Sequence, residues 1–409
     1  MKKQIQKICG LAAALWAAFS LSSLGAVAYY QKTLPDQFYV SSADAVSFSG
    51  ATPFSFATGT DERAREAAAS VGGSQNFFTD VNLFGLIPVK DVHVSVADKP
   101  VVTVSGRPFG VKMYTDGAVV VGISPVKTKD GAKTPGEEAG LQVGDVIVTL
   151  GGQPIKSYTD ITAQAKAGQP LICEYMRGGS RYSTTVTPAL SSEGGYKLGV
   201  WVRDSSAGIG TMTFVAGSGD NLIFAGLGHG ISDVDTKDIM PLATGEIVSA
   251  RISGVQKGQS GTPGELKGLF TSEKALGTLR QNGETGVYGL FHQTPQGTTM
   301  PVAYKQEVKE GAAQILCTLD GDTPKLYDID IEKINLNDRE RTKNLLIRVT
   351  DSELLEKAGG IVQGMSGSPI IQNNQLVGAV THVLVNDPTR GYGIFAENMW
   401  ESTKTVSVS

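Results

Sequence analysis

The sequence has few of the residues that specialised sites require. Its 409 residues include three cysteines (Cys9, Cys173 and Cys317), and their spacing does not match the C-x-x-C of metal sites. Cys9 lies in an apolar N-terminal run, so at most one disulfide could form elsewhere, and we do not expect it. Charged residues make up 19% of the chain, the formal net charge is −4, and no basic block predicts nucleic-acid binding. We also expect no cofactor and no metal.

The N-terminus carries an export signal. Three lysines within the first seven residues precede an uncharged run from Ile8 to Tyr30. As a helix this run would rise about 34 Å, enough to cross a hydrocarbon core of about 30 Å. The basic flank predicts a cytoplasmic N-terminal end and an exported remainder. Because "Ala26-Val27-Ala28" also fits a signal-peptidase site, residues 1–30 are either a transmembrane signal-anchor or a cleaved signal peptide.

The middle of the chain divides into a tether and a compact unit. Residues 31–97 are of mixed composition and predict a tether with a strand at its end. Residues 98–189 contain the strand "PFGVKMY", the hairpin "AGLQVGDVIVTLGGQPI" and the helix "YTDITAQAKA", which starts from a Thr/Asp cap. This unit resembles a PDZ domain of the bacterial protease-associated type.

The PDZ resemblance implies a peptide-binding role. Such domains add an extended peptide as a strand at an open sheet edge. We expect the turn Arg107–Gly110 to supply the carboxylate-binding amides, and Phe109, Gly110 and Val111 to hold a peptide or protein tail.

From residue 194 to 409, short β-patterned runs alternate with Gly, Asn, Asp and Ser turns, and no long helix interrupts them. Many short antiparallel strands over this length favour a barrel or a pair of barrels. The expected fold class is therefore mainly β, with an N-terminal membrane helix, a PDZ domain and a chymotrypsin-like double β-barrel.

A serine turn near the C-terminus is the main candidate site. The stretch Gly364–Pro369 reads G-x-S-G-x-P, and its glycines would leave the amides of Gly364 and Ser366 free to form an oxyanion hole. The same turn occurs at Gly258–Pro263, around Ser260. Only the later copy is followed by a G-x-V strand, as in chymotrypsin-like proteases, so we favour Ser366 as the nucleophile. That strand places Thr381 and His382 in the substrate groove.

A serine nucleophile needs a base and an orienting acid. His229, between two glycines after an apolar strand, is the best candidate for the base, whereas His93 lies outside the barrel region and His292 fits a structural position. His229 and Ser260 are too close in sequence to lie on different barrels. Local reasoning leaves four candidate acids open: Asp233, Asp235, Asp351 and Asp387.

The N-terminal run, the PDZ-like unit, "GHGISDVDT" and "GGIVQGMSGSPIIQNNQLVGAVTHVLVNDPTRGYGIF" together resemble the SpoIVB peptidases, serine proteases of endospore formation. The resemblance implies Ser366 as nucleophile, His229 as base and Asp351 as acid. Asp351 lies only 15 residues before the serine, which departs from the spacing of ordinary chymotrypsin-like enzymes.

The resemblance also implies a place and a substrate. The protein would be membrane-associated and extracytoplasmic, in the space between mother cell and forespore. There it would cleave itself and a regulatory membrane subunit, so that a late sporulation sigma factor is activated. Two alternatives remain: a catalytically silent PDZ scaffold, and a generic exported quality-control protease.

Overall fold

The computed structural model describes residues 23–42, 47–48, 53–57 and 76–406. Strands dominate these ranges, which confirms the mainly β class. Most of the predicted membrane segment, residues 1–22, lies outside the described residues, and residues 23–33 are helical. In the part of the chain that the structure describes, no helix has the length and apolar character needed to span a bilayer.

The first four strands form a sheet where the sequence predicts a tether. They are β1 (Gln37–Val40), β2 (Phe54–Phe56), β3 (Asn76–Leu83) and β4 (Ile87–Val96), in the order β1-β4-β3-β2. β1 runs parallel to β4, with Gln37 opposite His93. Alternate side chains of β1 are buried, and Phe38 and Val40 share one core with the last barrel of the chain. The described part of residues 31–97 is therefore a folded layer.

A small unit of strands and two helices follows β5 (Val101–Val104) and the long β6 (Pro108–Ile123). Its elements are β7 (Val126–Thr128), β8 (Gly131–Lys133), α1 (Pro135–Glu138), β9 (Val146–Leu150), β10 (Gln153–Pro154), α2 (Tyr158–Ala165), β11 (Leu171–Arg177), β12 (Ser180–Val186), β13 (Ala189–Leu190) and β14 (Tyr196–Lys197). Ser157 caps α2 by accepting the N–H of Asp160, whose carboxylate accepts the N–H of Ser157. This capping box confirms the predicted helix.

The first barrel closes from six strands. β15 (Val200–Ser218), β16 (Asn221–Gly226), β17 (Leu242–Gln256), β18 (Glu265–Gly283) and β19 (Gly286–Phe291) join β6 in the order β6-β17-β18-β19-β16-β15, and β15 pairs back with β6. Phe109, Phe224 and Ile247 are among the side chains that fill its interior. β20 (Thr298–Pro301) pairs with β5 at the margin of this sheet.

The structure corrects the predicted start of the PDZ unit. The first half of β6 pairs with β17 on one edge and with β15 on the other. Phe109 and Val111 are 1% and 3% exposed there, inside the first barrel, and Gly110 lies between them. The prediction that these three residues bind a peptide tail is wrong, because both edges of the strand are already paired. Further along β6, Ala118 and Val119 pair with β9, so this part of the strand belongs to the PDZ sheet.

The second barrel is closed and lies entirely within the predicted C-terminal region. Its strands are β21 (Gly311–Cys317), β22 (Lys325–Ile334), β23 (Leu345–Val349), β24 (Pro369–Gln372), β25 (Gln375–Val383) and β26 (Arg390–Phe395), in the order β21-β22-β23-β26-β25-β24. The 3₁₀ turns η1 (Lys305–Glu307) and η2 (Arg341–Lys343) and the helices α3 (Ser352–Ala358) and α4 (Ala396–Thr403) complete the described chain. The pair of barrels is thus present, although the first borrows β6 from upstream of residue 194.

The packing of β1 generates a stability prediction. Phe38→Ala removes a fully buried ring from the core that joins the N-terminal sheet to the second barrel. We expect a loss of about 3–5 kcal/mol in the free energy of unfolding, measured by denaturant titration. Phe84→Ala is the control, because that ring is 71% exposed at the tip of the β3–β4 hairpin. Equal, small effects would show that residues 37–40 are only a tether.

Candidate active site

The loop between α3 and β24 carries Ser366 and is hydrogen-bonded directly to the first barrel. Thr211 of β15 donates its N–H to the Ser366 carbonyl (3.0 Å) and its hydroxyl to the Gly364 carbonyl (3.0 Å). The hydroxyl of Thr213 donates to the Gly367 carbonyl at 2.7 Å. The serine turn is therefore part of the seam between the two barrels.

Two glycines make this close approach possible. Gly367 has φ +92°, and a Cβ there would lie 2.0 Å from the Thr211 carbonyl oxygen and 2.5 Å from the Leu227 nitrogen. Gly364 has φ +95°, and its Cβ would lie 3.0 Å from the side chain of Leu266. Any larger residue at position 367 would collide with backbone and adopt a strained conformation.

The predicted oxyanion-hole donors are free. Among the described residues, the N–H groups of Gly364 and Ser366 have no hydrogen-bond acceptor, whereas that of the intervening Met365 is bonded to the Val362 carbonyl. Two free amides flanking one residue can both point at an oxyanion, as the G-x-S-G-x-P pattern predicts.

The hydroxyl of Ser366 is bonded to the groove strand. Its Oγ donates to the carbonyl of Thr381 on β25 at 2.8 Å. Thr381 is buried, and its own hydroxyl donates to the Thr342 carbonyl at 2.7 Å, which fixes this part of β25. To meet a base, the Ser366 hydroxyl has to rotate away from this carbonyl.

His229 lies on the loop after β16 and lines the same pocket as Ser366. Its Nδ1 is 2.9 Å from the carbonyl of Gly230, which can only accept, so Nδ1 carries the proton and Nε2 is left as the acceptor. Burial lowers the pKa of His229, so the imidazole is neutral at pH 7 and can take a proton. The rings of His229 and His382 have centroids 5.0 Å apart and planes 33° apart.

One pocket collects the predicted site residues. A cavity of about 710 Å³ between the barrels is lined by residues of both, including Ser366, His229, Gly364, Thr381 and His382. Desolvation, the neighbouring His229 and Lys343 lower the pKa of His382 to about 4, so His382 is also neutral near pH 7. The pocket thus offers a hydroxyl, a neutral imidazole and two free amides within one cleft.

Asp351 lies at the start of α3, outside the lining of this pocket. Its carboxylate accepts the N–H of Leu354 at 2.9 Å, so it acts as the helix cap. Asp387 accepts from Thr389 in a turn. The structure brings neither carboxylate to His229.

Asp233 lines the pocket, but its carboxylate is bonded to Arg203 and to the amides of Asp235 and Thr236. Within the described residues, the His229 ring is hydrogen-bonded to the Gly230 carbonyl. Sequence reasoning missed this partner, because a backbone carbonyl has no signature in residue types.

The other serine turn and the remaining histidines have structural partners. The Ser260 hydroxyl donates to the Asn386 carbonyl at 2.8 Å, where the β17–β18 hairpin rests on the second barrel. His292 bonds to Thr278, and His93 lies in β4 beside Phe78. Ser260, His292 and His93 are absent from the lining of the 710 Å³ pocket.

Comparison with known families agrees with this geometry. Residues 194–400, just over half of the chain, match the family model described as SpoIVB peptidase S55. The chain belongs to the SpoIVB peptidase family. A PDZ domain model matches residues 131–166, from β8 to the end of α2. This SpoIVB-type chain therefore combines a peptidase-family region with a segment that matches a PDZ domain.

Shorter matches involve other proteases. Over 75 residues the chain is 37% identical to the serine protease HTRA1 of Xenopus tropicalis and to the regulator of sigma-E protease RseP of Salmonella typhimurium. These matches cover 18% of this chain but only 15% and 17% of the two relatives. The similarity is therefore confined to a small part of each relative.

Two solved structures show weak likenesses. The PDZ domain of the SdrC-like protein from Listeria monocytogenes is 21% identical, with 21% of this chain and 87% of that chain covered and a TM-score of 0.17. An inactive mutant of Rv3671c from M. tuberculosis is 14% identical, with 49% and 84% covered and a TM-score of 0.29. At these TM-scores neither likeness supports a conclusion about this SpoIVB-type chain.

The two copies of the serine turn provide a matched pair of glycines. Gly367→Ala places a methyl group against the backbone of Thr211 and Leu227, whereas a Cβ at Gly261 (φ +81°) meets no atom within 4 Å. We expect Gly261→Ala to cost about 1–2 kcal/mol through its positive φ alone. Gly367→Ala should cost clearly more, because the seam between the barrels must open. Equal shifts of the unfolding midpoint would contradict the seam.

Proposed function

We propose that the protein is a membrane-tethered serine endopeptidase in which Ser366 is the nucleophile and His229 the general base. The observation that carries this proposal is the shared pocket of Ser366, His229 and the free amides. The Ser366 hydroxyl turns from the Thr381 carbonyl to His229 Nε2, transfers its proton there and attacks the peptide carbonyl. The N–H groups of Gly364 and Ser366 then bond the oxyanion, and His229 returns the proton to the leaving amine.

The third member of the catalytic group is proposed to be the Gly230 carbonyl. This carbonyl accepts a hydrogen bond from Nδ1–H of His229 and so stabilises the tautomer in which Nε2 is unprotonated. In a Ser-His-Asp triad, the carboxylate of the acid orients the histidine in the same way. The family resemblance implies Asp351 in this position, and that role remains a prediction. Its observed bond to Leu354 supports a capping role instead.

The substrate is proposed to be an extended peptide segment of a protein. β25 forms one wall of the pocket, with Thr381 and His382 in its lining. A separate peptide tail would pair with β15 at Val200–Val202. That stretch pairs with β6 on one edge and, among the described residues, with no strand on the other.

Two further features support this second peptide site. α2 lies beside that open edge, and Asp204 accepts the N–H of Tyr158 at the helix start. A strand edge next to a helix is a site at which an extended peptide can be added.

The biological setting follows from family membership and is proposed on that basis. The enzyme would act between mother cell and forespore, cleave itself, and cleave the regulatory membrane subunit whose loss activates a late sporulation sigma factor. Ala26 and Val27 pack against the core that includes the second barrel. Cleavage after Ala28 would remove these contacts, which favours a retained N-terminal segment over a removed signal peptide.

The function is tested with purified full-length protein in detergent. Wild type and Ser260→Ala should cleave themselves and a reconstituted sporulation membrane protein, whereas Ser366→Ala should lose at least 10³-fold in rate. Cleavage that persists in Ser366→Ala would contradict the proposal. Cleavage of unfolded casein at a similar rate would instead indicate a general quality-control protease.

The acid limb of the pH–rate profile tests the partner of His229. The base must be neutral, and burial lowers its pKa, so the rate should fall only below about pH 6.5. Asp351→Asn should leave this midpoint unchanged, because asparagine also caps helices. If the Asp351 carboxylate were bonded to His229, the opposite result is expected. The midpoint of the acid limb would then lie above pH 6.5 in the wild type and would fall in Asp351→Asn.

A further inference from the structure

Strand β15 connects the PDZ unit to both barrels. Its first residues, Val200–Arg203, pair with β6 inside the PDZ unit, and residues 206–211 pair with the part of β6 in the first barrel. Thr211, near the middle of the same strand, holds the serine turn. A shift at the PDZ end of β15 therefore has a continuous strand through which to reach the active site.

Arg203, one residue after the open edge, bonds to the loop that carries His229. We define the histidine loop as residues 227–241, between β16 and β17. The guanidinium of Arg203 bonds to the carboxylates of Asp233 and Asp235, the latter at 2.9 Å. The Asp233 side chain is 1% exposed and also accepts the N–H groups of Asp235 and Thr236, each at 2.9 Å. A single arginine thus organises the outer part of the histidine loop.

The histidine loop has a second anchor at its base. The side chain of Asn282 in β18 accepts the N–H of Ile231 and donates to the carbonyls of Ile231 and Met240. This anchor belongs to the first barrel, whereas Arg203 belongs to the PDZ part of β15. The loop is therefore held from two different units.

A cleft separates the rest of the histidine loop from the PDZ sheet. Its volume is about 550 Å³, with Ile239 and Met240 of the loop on one side and Val119, Val146 and Val148 of the PDZ unit on the other. Since this space is open, the loop and the PDZ sheet are not packed together across it. The ion pairs of Arg203, and a hydrogen bond from the Asp116 N–H to the Pro241 carbonyl at 3.3 Å, link the two sides. Asp233 lines both this cleft and the active-site pocket.

We propose that Arg203 is a positioning residue that sets the histidine loop, and with it His229, according to the state of the PDZ unit. A peptide paired along Val200–Val202 would order the adjoining Arg203, and the arginine would fix Asp233 four residues beyond His229. This inference rests on the proposed function. Without Arg203 the buried Asp233 carboxylate lacks its cationic partner, so the loop has to move to hydrate it.

The chain offers a matched control for this pair. Arg177 bonds to Asp145 within the PDZ unit at 2.6 and 2.7 Å, with side chains 33% and 1% exposed. The corresponding exposures of Arg203 and Asp233 are 31% and 1%. Arg177→Gln therefore removes the same chemistry from a buried aspartate whose carboxylate is bonded to Gln142 and Arg177, both within the PDZ unit.

The experiment compares Arg203→Gln, Arg203→Lys and Arg177→Gln in the full chain by hydrogen exchange and by rate of self-cleavage. Arg203→Gln should speed amide exchange at Asp235 and Thr236 at least tenfold and slow self-cleavage at least tenfold, and Arg203→Lys should restore part of both. Arg177→Gln should change the exchange rates and the self-cleavage rate by less than twofold, even if its unfolding midpoint falls by as much as that of Arg203→Gln.

The outcomes separate this inference from the proposed function. Unchanged exchange in Arg203→Gln, or faster exchange with an unchanged cleavage rate, would overturn the positioning role. Equal slowing of self-cleavage in Arg177→Gln would overturn it as well, because a general loss of PDZ stability would then explain the effect of Arg203→Gln. A wild type that does not cleave contradicts the proposed function, while exchange at Asp235 and Thr236 still decides whether Arg203 holds the loop.

Discussion

The hydrogen bonds from Thr211 to the serine turn are the constraint on which the site depends. Ser366 belongs to the second barrel and His229 to the first, and nothing in the local sequence of either brings them together. The two bonds of Thr211, at 3.0 Å each, fix the turn against β15, whose neighbour β16 leads directly to the histidine loop. Because the backbones touch at this seam, position 367 has room only for a hydrogen atom.

The electrostatics of the pocket fit a base that is neutral at rest. Burial disfavours the charged imidazole, and a second imidazole with its ring 5.0 Å away adds repulsion if both are protonated. Near neutral pH, both His229 and His382 therefore carry no charge. In the proposed mechanism, the Gly230 carbonyl would stay bonded to Nδ1–H while His229 accepts the serine proton, and it would supply a dipole in the place of a carboxylate. His382 completes the wall of the groove as an uncharged group.

Sequence reasoning could single out the Ser366 turn and His229 as neighbours in one site because the information is local. The glycine turn and the G-x-V strand after Ser366 report backbone geometry and strand position directly, and the isolated "GHG" places an imidazole at a strand end. Sequence reasoning did not predict the capping role of Asp351, because it considered this residue only as a candidate acid; the structure places it at the start of α3. The pairing partners of the strands could not be predicted from the local sequence. "PFGVKMY" reads as a strand in any sheet, and only the distant β15 and β17 decide that its first half lies in a barrel.

The central claim is that Ser366 and His229 form one reactive centre, and covalent labelling tests it most directly. The folded full-length protein would be treated with a fluorophosphonate and the adduct mapped by mass spectrometry, in the wild type and in His229→Ala. We predict one adduct, on the peptide that contains Ser366, and labelling at least 10³-fold slower without His229. An adduct on Ser260, no adduct at all, or equal labelling of the two proteins would contradict the claim.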